Sequence, residues 1–185
     1  MTRYRFATIG IVFLVFGTAV VASDLTWNSE FGNTLYNTPK GWATTQKGGA
    51  VMLIPPDLKP GEDAAIVITP GGELKGDFKQ ALTDFRAALR GNAKGREGET
   101  QAVNADEGYP ILLVAEQVED ANGAVKQYRY FCASHPGNRV EFVFLVTNTR
   151  DTFDRYTKDF SEFIKTLAYK NARPGAHVTT APATK

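Results

Sequence analysis

Hydrophobic and polar positions along this chain follow two different periods, and the changes between them outline its elements. In the first half the apolar positions come in short runs broken by turn residues. These runs are Thr34 to Asn37, Trp42 to Gln46, Ala50 to Ile54 ended by Pro55-Pro56, and Ala65-Ile66-Val67-Ile68-Thr69 stopped by Pro70-Gly71-Gly72. β-Branched runs of this length, punctuated by Pro and Gly, read as strands. The period then lengthens to about 3.6 residues, because Phe78, Leu82, Phe85 and Leu89 share one helical face. Asp77 in front is a candidate N-cap and Gly91 a stop signal, so a helix is expected between them. The stretch from Gly91 to Gly98 has the polar composition of an exposed loop, and Thr100 to Asn104 reads as a short strand.

Alternation resumes in Ile111 to Glu119 and Val125 to Ala133, which flank Asn122-Gly123, a dipeptide suited to a tight hairpin turn. A second reversal at His135-Pro136-Gly137-Asn138 leads into Val140 to Thr147, completing an antiparallel meander. In this last run Val140, Phe142, Phe144 and Val146 line one side and Val143 and Leu145 the other, as suits a central strand covered on both faces. A second helix follows, with Phe153, Tyr156, Phe160, Phe163, Ile164 and Leu167 as its apolar stripe and Arg155, Lys158, Asp159 and Glu162 outward. Residues 171–185, rich in Ala, Pro, Thr and Gly without periodicity, are expected to form a disordered tail.

The N-terminus differs from everything after it. Arg3 and Arg5 precede an apolar run from Ile9 to Val21, and Val20-Val21-Ala22-Ser23 offers small residues for cleavage. That is the pattern of an export signal over residues 1–23. The run is shorter than the roughly 20 apolar residues a bilayer span requires, so no stable membrane span is expected after cleavage, and a periplasmic or secreted protein is. A single α+β domain is expected over residues 24–170.

The chain's 21 basic and 20 acidic residues lose Arg3 and Arg5 with the signal and become 19 and 20. Such a balance argues against a nucleic-acid partner, whose phosphates demand a basic face. The only cysteine, Cys132, excludes an internal disulfide and lies in the aromatic run Tyr128-Arg129-Tyr130-Phe131-Cys132-Ala133, where a small buried hydrophobe is the natural reading.

Tyr36-Asn37-Thr38-Pro39-Lys40-Gly41-Trp42 opens the domain, followed by strands, Ala65-Ile66-Val67-Ile68-Thr69-Pro70, a helix, a meander and a terminal aromatic helix. In that order and spacing the chain resembles the PsbP-like and Mog1-like superfamily over roughly residues 35–168. The resemblance implies an antiparallel β-sheet with helices packed on its faces, an α/β/α sandwich, and a binding or assembly role without catalysis. Pattern alone reaches only α+β.

Catalytic signatures are missing from the sequence: there is no Gly-x-Ser-x-Gly elbow, no phosphate loop and no His-Glu-x-x-His helix. Of the two histidines, His177 lies in the expected tail, leaving His135 three residues from Cys132. An odd separation along a strand sends side chains to opposite faces, so a Cys132/His135 dyad is disfavoured and His135 reads as a turn residue. Glu116, Glu119 and Glu141 fall in the meander, where paired carboxylates can do acid/base work or hold a hard cation; alternation outward into solvent is the preferred expectation. Gly71-Gly72 and the residue 91–98 stretch lack the strand and helix context of a phosphate cradle.

The preferred function is therefore an exported binding or assembly module with a protein partner in the envelope or outside the cell, needing no cofactor and no metal. Aromatic side chains dominate interface hot spots, which nominates Tyr36, Trp42 and Tyr109 as contact residues, although Trp42 is better suited to the core. The alternative is a small-ligand binder or hydrolase-type enzyme with a pocket between sheet and helix, using Glu116 and Glu141 or the Cys132/His135 pair.

Overall fold

The computed structural model describes residues 25–29, 32–47, 49–105 and 107–170. The expected signal and tail lie outside the described residues. Strands β1 (Leu25–Ser29), β2 (Gly32–Tyr36) and β12 (Ala168–Lys170) form a small antiparallel sheet in the order β1-β2-β12. The main sheet contains β3 (Ala43–Lys47), β4 (Ala50–Ile54), β5 (Ala64–Ile68), β7 (Lys94–Glu97), β9 (Pro110–Glu119), β10 (Val125–Ser134) and β11 (Arg139–Thr147) in the order β3-β4-β5-β11-β10-β9-β7. Two short strands join it: β6 (Gly72–Glu73) beside β11 and β8 (Gln101–Asn104) beside β9. Helices α1 (Phe78–Arg90) and α2 (Arg150–Ile164) pack on opposite faces, so the architecture is α+β with an antiparallel sheet between two helices, as the resemblance implied.

Side chains alternate across the sheet, and each face has its own core. Under α1, Leu82 and the half-buried Phe78, Phe85 and Leu89 meet Ala65, Val67, Leu112, Val114, Phe131, Ala133, Phe144 and Val146. Phe85 stacks on Phe142, with ring centroids 4.1 Å apart and planes 6° off parallel. Under α2, Tyr156, Phe160 and Phe163 meet Leu53, Ile66, Ile68, Cys132, Val143 and Leu145. Strand β11 is central, paired with β5 and β10, and its two apolar faces serve the two cores.

The helix ends follow the local sequence. Asp77 Oδ1 accepts the Gln80 N–H at 2.8 Å, and Gly91 follows the last turn of α1. Thr149 caps α2 by accepting the Thr152 N–H at 3.2 Å. Each cap replaces a lost backbone partner and stabilises its helix by about 1 kcal/mol.

Two expectations are corrected, one is refined and two strands are new. The residue 91–98 stretch is not a plain loop, because β7 pairs with β9; its four residues are all exposed, and a charged edge strand carries no hydrophobic alternation to announce it. The tight hairpin turn after β9 takes three residues: Gly123 N–H donates to Asp120 O and Asp120 N–H to Ala124 O, with Gly123 at the positive φ of 81° that such a turn needs. Helix α2 stops at Ile164, so Leu167 enters the core from the segment after the helix. Strands β1 and β12, which the sequence pattern did not announce, each pair with β2 between them. Among the described residues no helix is long and apolar enough to cross a membrane.

Candidate functional site

The candidate side chains do not converge on one place. Tyr36 and Trp42 are buried, contrary to the exposure a contact residue needs: Tyr36 meets Phe163 edge-on at 5.9 Å and Trp42 meets Tyr156 edge-on at 5.4 Å. The reason is area, since each ring removes more apolar surface from water by plugging the α2 core than a solvated loop position would allow. Tyr109 is half-buried, edge-on to Tyr169 at 5.5 Å.

Glu116, Glu119 and Glu141 are also buried, which corrects the expectation that they point into solvent. Glu116 and Glu141 do not approach each other. Arg129 pairs with Glu116 and Ser134 with Glu141 on β10, five positions apart, or about 17 Å along the strand and on opposite faces. Each carboxylate is instead met by arginines, none of which the pattern of the sequence had singled out.

On the α1 face, Glu97, Glu116 and Arg129 stand in register across β7, β9 and β10. Like charges directly opposite in a sheet repel, and Glu97 and Glu116 are tolerated as neighbours because α1 lowers Arg86 and Arg90, one turn apart, onto them. Arg90 Nη1 is ion-paired with Glu116 Oε1. Arg86 Nη2 lies 3.6 Å from that oxygen and 3.0 Å from Glu97 Oε1, while Arg90 Nη1 is 3.5 Å from Glu97. Arg129 Nη1 sits 3.9 Å from Glu116 Oε2, and its Nε and Nη2 donate to Gln127 Oε1 at 3.1 and 2.6 Å. The guanidinium of Arg86 also covers the Phe131 ring at 5.7 Å. A Cβ on residue 95 would come within 2.6 Å of Arg90 Nη1 and 2.7 Å of Glu116 Oε1, so Gly95 is what lets β7 run this close beneath the cluster. Burial holds Arg129 below the ordinary guanidinium range; Glu116 opposes that shift, and the neighbouring positive charges of Arg90 and Arg86 add to it. Glu119 belongs to the other face, where exposed Arg96 reaches it at 2.8 Å.

On the α2 face the second pair, Arg139 and Glu141, is formed two residues apart on β11, and both side chains are 1% exposed. Arg139 Nη2 donates to Thr34 Oγ1 at 3.3 Å, and its guanidinium lies 5.5 Å from the Tyr169 ring. The small sheet thus closes over this pair. Burial depresses Arg139 and raises the Tyr169 hydroxyl well above the usual phenol range. Gly71 passes directly over the Glu141 carboxylate, where a side chain would collide. Such a pair is sealed structure rather than reactive surface.

Cys132 and His135 face opposite cores. Cys132 packs under α2, while His135 lies 5.4 Å from Phe78 of α1, with Nδ1 2.8 Å from Arg139 O. Burial pushes the Cys132 thiol up to about 12, only partly offset by Ser134, so no thiolate is available at neutral pH. In the native protein a chromogenic disulfide should label Cys132 no faster than the chain unfolds. The raised pKa also sets a pH dependence. The unfolded thiol ionises near its ordinary 9.0 while the native thiol waits until about 12. Native stability from this group is therefore full below pH 9 and falls as pH rises through that window, by up to about 1.4 kcal/mol per unit. Urea unfolding of wild type and Cys132→Ala at pH 8 and 10 should show the flatter profile in the variant, and equal slopes would refute the assignment.

Among the described residues no three His, Cys, Asp or Glu side chains are grouped so as to hold a metal ion. The arginines were missed for a physical reason: a stripe is read from apolar residues, and Arg86 and Arg90 extend the line of Leu82 at four-residue steps with charged ends. Two long cations on the buried face of an amphipathic helix are themselves a signal that a carboxylate waits on the sheet.

No protein-family model and no curated protein matches the sequence. Among solved structures, the chain is similar to the cyanobacterial PsbP protein CyanoP from Synechocystis sp. PCC 6803, with a TM-score of 0.56 and 14% identity, covering 84% of this chain and 97% of that one. It is likewise similar to PA94, a protein of unknown function from Pseudomonas aeruginosa, with a TM-score of 0.52 and 14% identity over 80% of this chain and 97% of the other. The fold is PsbP-like.

Proposed function

We propose that this chain is an exported binding module of the cell envelope that works by contact rather than by chemistry of its own. It comprises one domain over residues 24–170 behind a leader of residues 1–23. The observation that carries the reading is the inward turn of its ionisable groups: Glu116 and Glu141 are each held by arginine, and Cys132 and His135 are buried on separate faces. A general acid or base must reach substrate, and each of these groups faces the protein interior instead. One outward feature of the domain is an open sheet edge. Among the described residues strand β3 has only β4 as its neighbour in the sheet order, and Thr44 to Lys47 are exposed along it, leaving edge N–H and C=O groups that an extended segment of a partner can pair with. Two measurements test this. The protein recovered from its producing cell should have lost its leader by intact mass, and the tagged mature domain should capture one envelope protein in near-stoichiometric amount. Retention in the cytosol with the leader intact, or a copurifying small molecule that the domain turns over, would refute it.

A further inference from the structure

The arginine cluster on the α1 face holds more positive charge than the described residues supply carboxylates to match. Arg86, Arg90 and Arg129 surround Glu116, and among the described residues the remaining acid within reach is Glu97. Arg86 is 3% exposed and Glu116 fully buried, whereas the Glu97 side chain is 46% exposed. Arg86 Nε and Nη2 are buried with no hydrogen-bond acceptor among the described residues, while Arg129 Nη1 faces the equally unbonded Glu116 Oε2 at 3.9 Å; the 3.0 Å approach of Glu97 to Arg86 is an ion pair without hydrogen-bond alignment. Buried guanidinium N–H groups left without acceptors are costly. Glu97 ends β7, an edge strand exposed at every residue, and it touches both helix arginines through the single oxygen Oε1.

We propose that this cluster is a binding site for an oxyanion, a carboxylate or phosphate group carried by a ligand, and that Glu97 is its built-in competitor. The two guanidiniums of Arg86 and Arg90, one helical turn apart, present forked donors to the place where Glu97 Oε1 now sits. An incoming carboxylate or phosphate can use two or three oxygens there, where Glu97 uses one, and bidentate recognition is what guanidinium does best. Glu97 can leave toward solvent because its side chain already stands 46% exposed at the rim, whereas the fully buried Glu116 stays and keeps the arginines from repelling one another. Gly95 keeps the approach free of side chain. The inference rests on the domain being a binding module and supplies the chemical class of one ligand.

The competitor role gives the test its sign. An anion that must displace Glu97 binds more weakly by the fraction of time the arginines are free, so Glu97→Gln should bind about tenfold more tightly. The probes are inorganic phosphate and acetate, titrated into wild type and Glu97→Gln at constant ionic strength maintained with chloride, and followed by amide and arginine Nε chemical shifts. Saturable shifts at Gly95, residue 97 and the Arg86 and Arg90 Nε signals, tighter in the variant, are expected. Saturation by phosphate alone or acetate alone supports the site and identifies the ligand group. Arg90→Lys, which keeps the charge at a partly exposed position but removes the fork, should weaken binding in the Glu97→Gln background. Shifts that follow ionic strength without saturating, or equal affinity with and without the Glu97 carboxylate, would overturn the proposal. Such a failure leaves partner capture by the mature domain untouched, so the two readings fall separately.

Discussion

Glu116→Gln should destabilise the native protein by about 3–5 kcal/mol, the range seen when one member of a buried ion pair is removed. The amide keeps the shape of the side chain, so no cavity opens and the change isolates the charge. Glu116 is the acceptor for Arg90 and the nearest negative charge to Arg86 and Arg129; without it three guanidiniums face one another with only the rim carboxylate of Glu97 between them. Urea unfolding is the measurement, read as a fall in midpoint with the slope unchanged. Glu119→Gln is the control. Its partner Arg96 has a side chain 76% exposed, and a pair with an exposed member is worth at most about 1 kcal/mol. Equal losses from the two substitutions would mean that the arginine cluster is solvated and weak. Salt should not restore Glu116→Gln, because buried charges are screened little.

The second large effect is non-additive. Arg139→Met leaves the Glu141 carboxylate buried without its counter-charge, and a loss of about 3–5 kcal/mol is expected. Adding Glu141→Leu to make the double variant should return most of that loss, since well-packed apolar residues of similar volume replace a buried ion pair at little cost. The coupling between the two positions, obtained from a double-mutant cycle of unfolding free energies, should therefore be at least about 2 kcal/mol. Additive losses would place the pair in contact with water. Thr34 and the Tyr169 ring, both from the small sheet, lie against Arg139, so the single variant should also loosen β2 and β12. Faster amide exchange at residues 34–36 and 168–170 than elsewhere in the domain would report it.

Both predictions concern residues whose importance the linear pattern concealed, and the reason is general. Local periodicity was sufficient for α1, α2, β4 and the meander, because each carries enough apolar side chains at its own period to declare which face is buried. Asp77 and Gly91 marked the ends of α1 for the same local reason: a cap acts on backbone groups three or four residues away. The apolar alternation of β11 even disclosed that the strand has a core on both sides.

Partnership across the sheet was a different matter. Glu116, Glu119 and Glu141 occupy alternating strand positions that, taken alone, belong to a solvated face, and burying them is tolerable only with arginines nearby. Arg90 lies 26 residues before Glu116 and Arg86 a further turn back, both on a helix outside the meander, and Arg139 comes from two residues along the same strand under the cover of a sheet built from both ends of the described chain. Strand β7 is recognisable only beside β9, whose backbone it completes.

Taken by itself, the sequence determined where apolar area must go, and with it the two helices, the meander and the inward fate of Cys132. The tertiary structure alone decided which charges were buried together, because hydrophobic burial is a property of each side chain while charge neutralisation is a property of pairs. Tyr36 and Trp42 fall between these cases: their large rings demanded burial from the start, but only the docking of α2 decided that the core, and not a partner, would receive them.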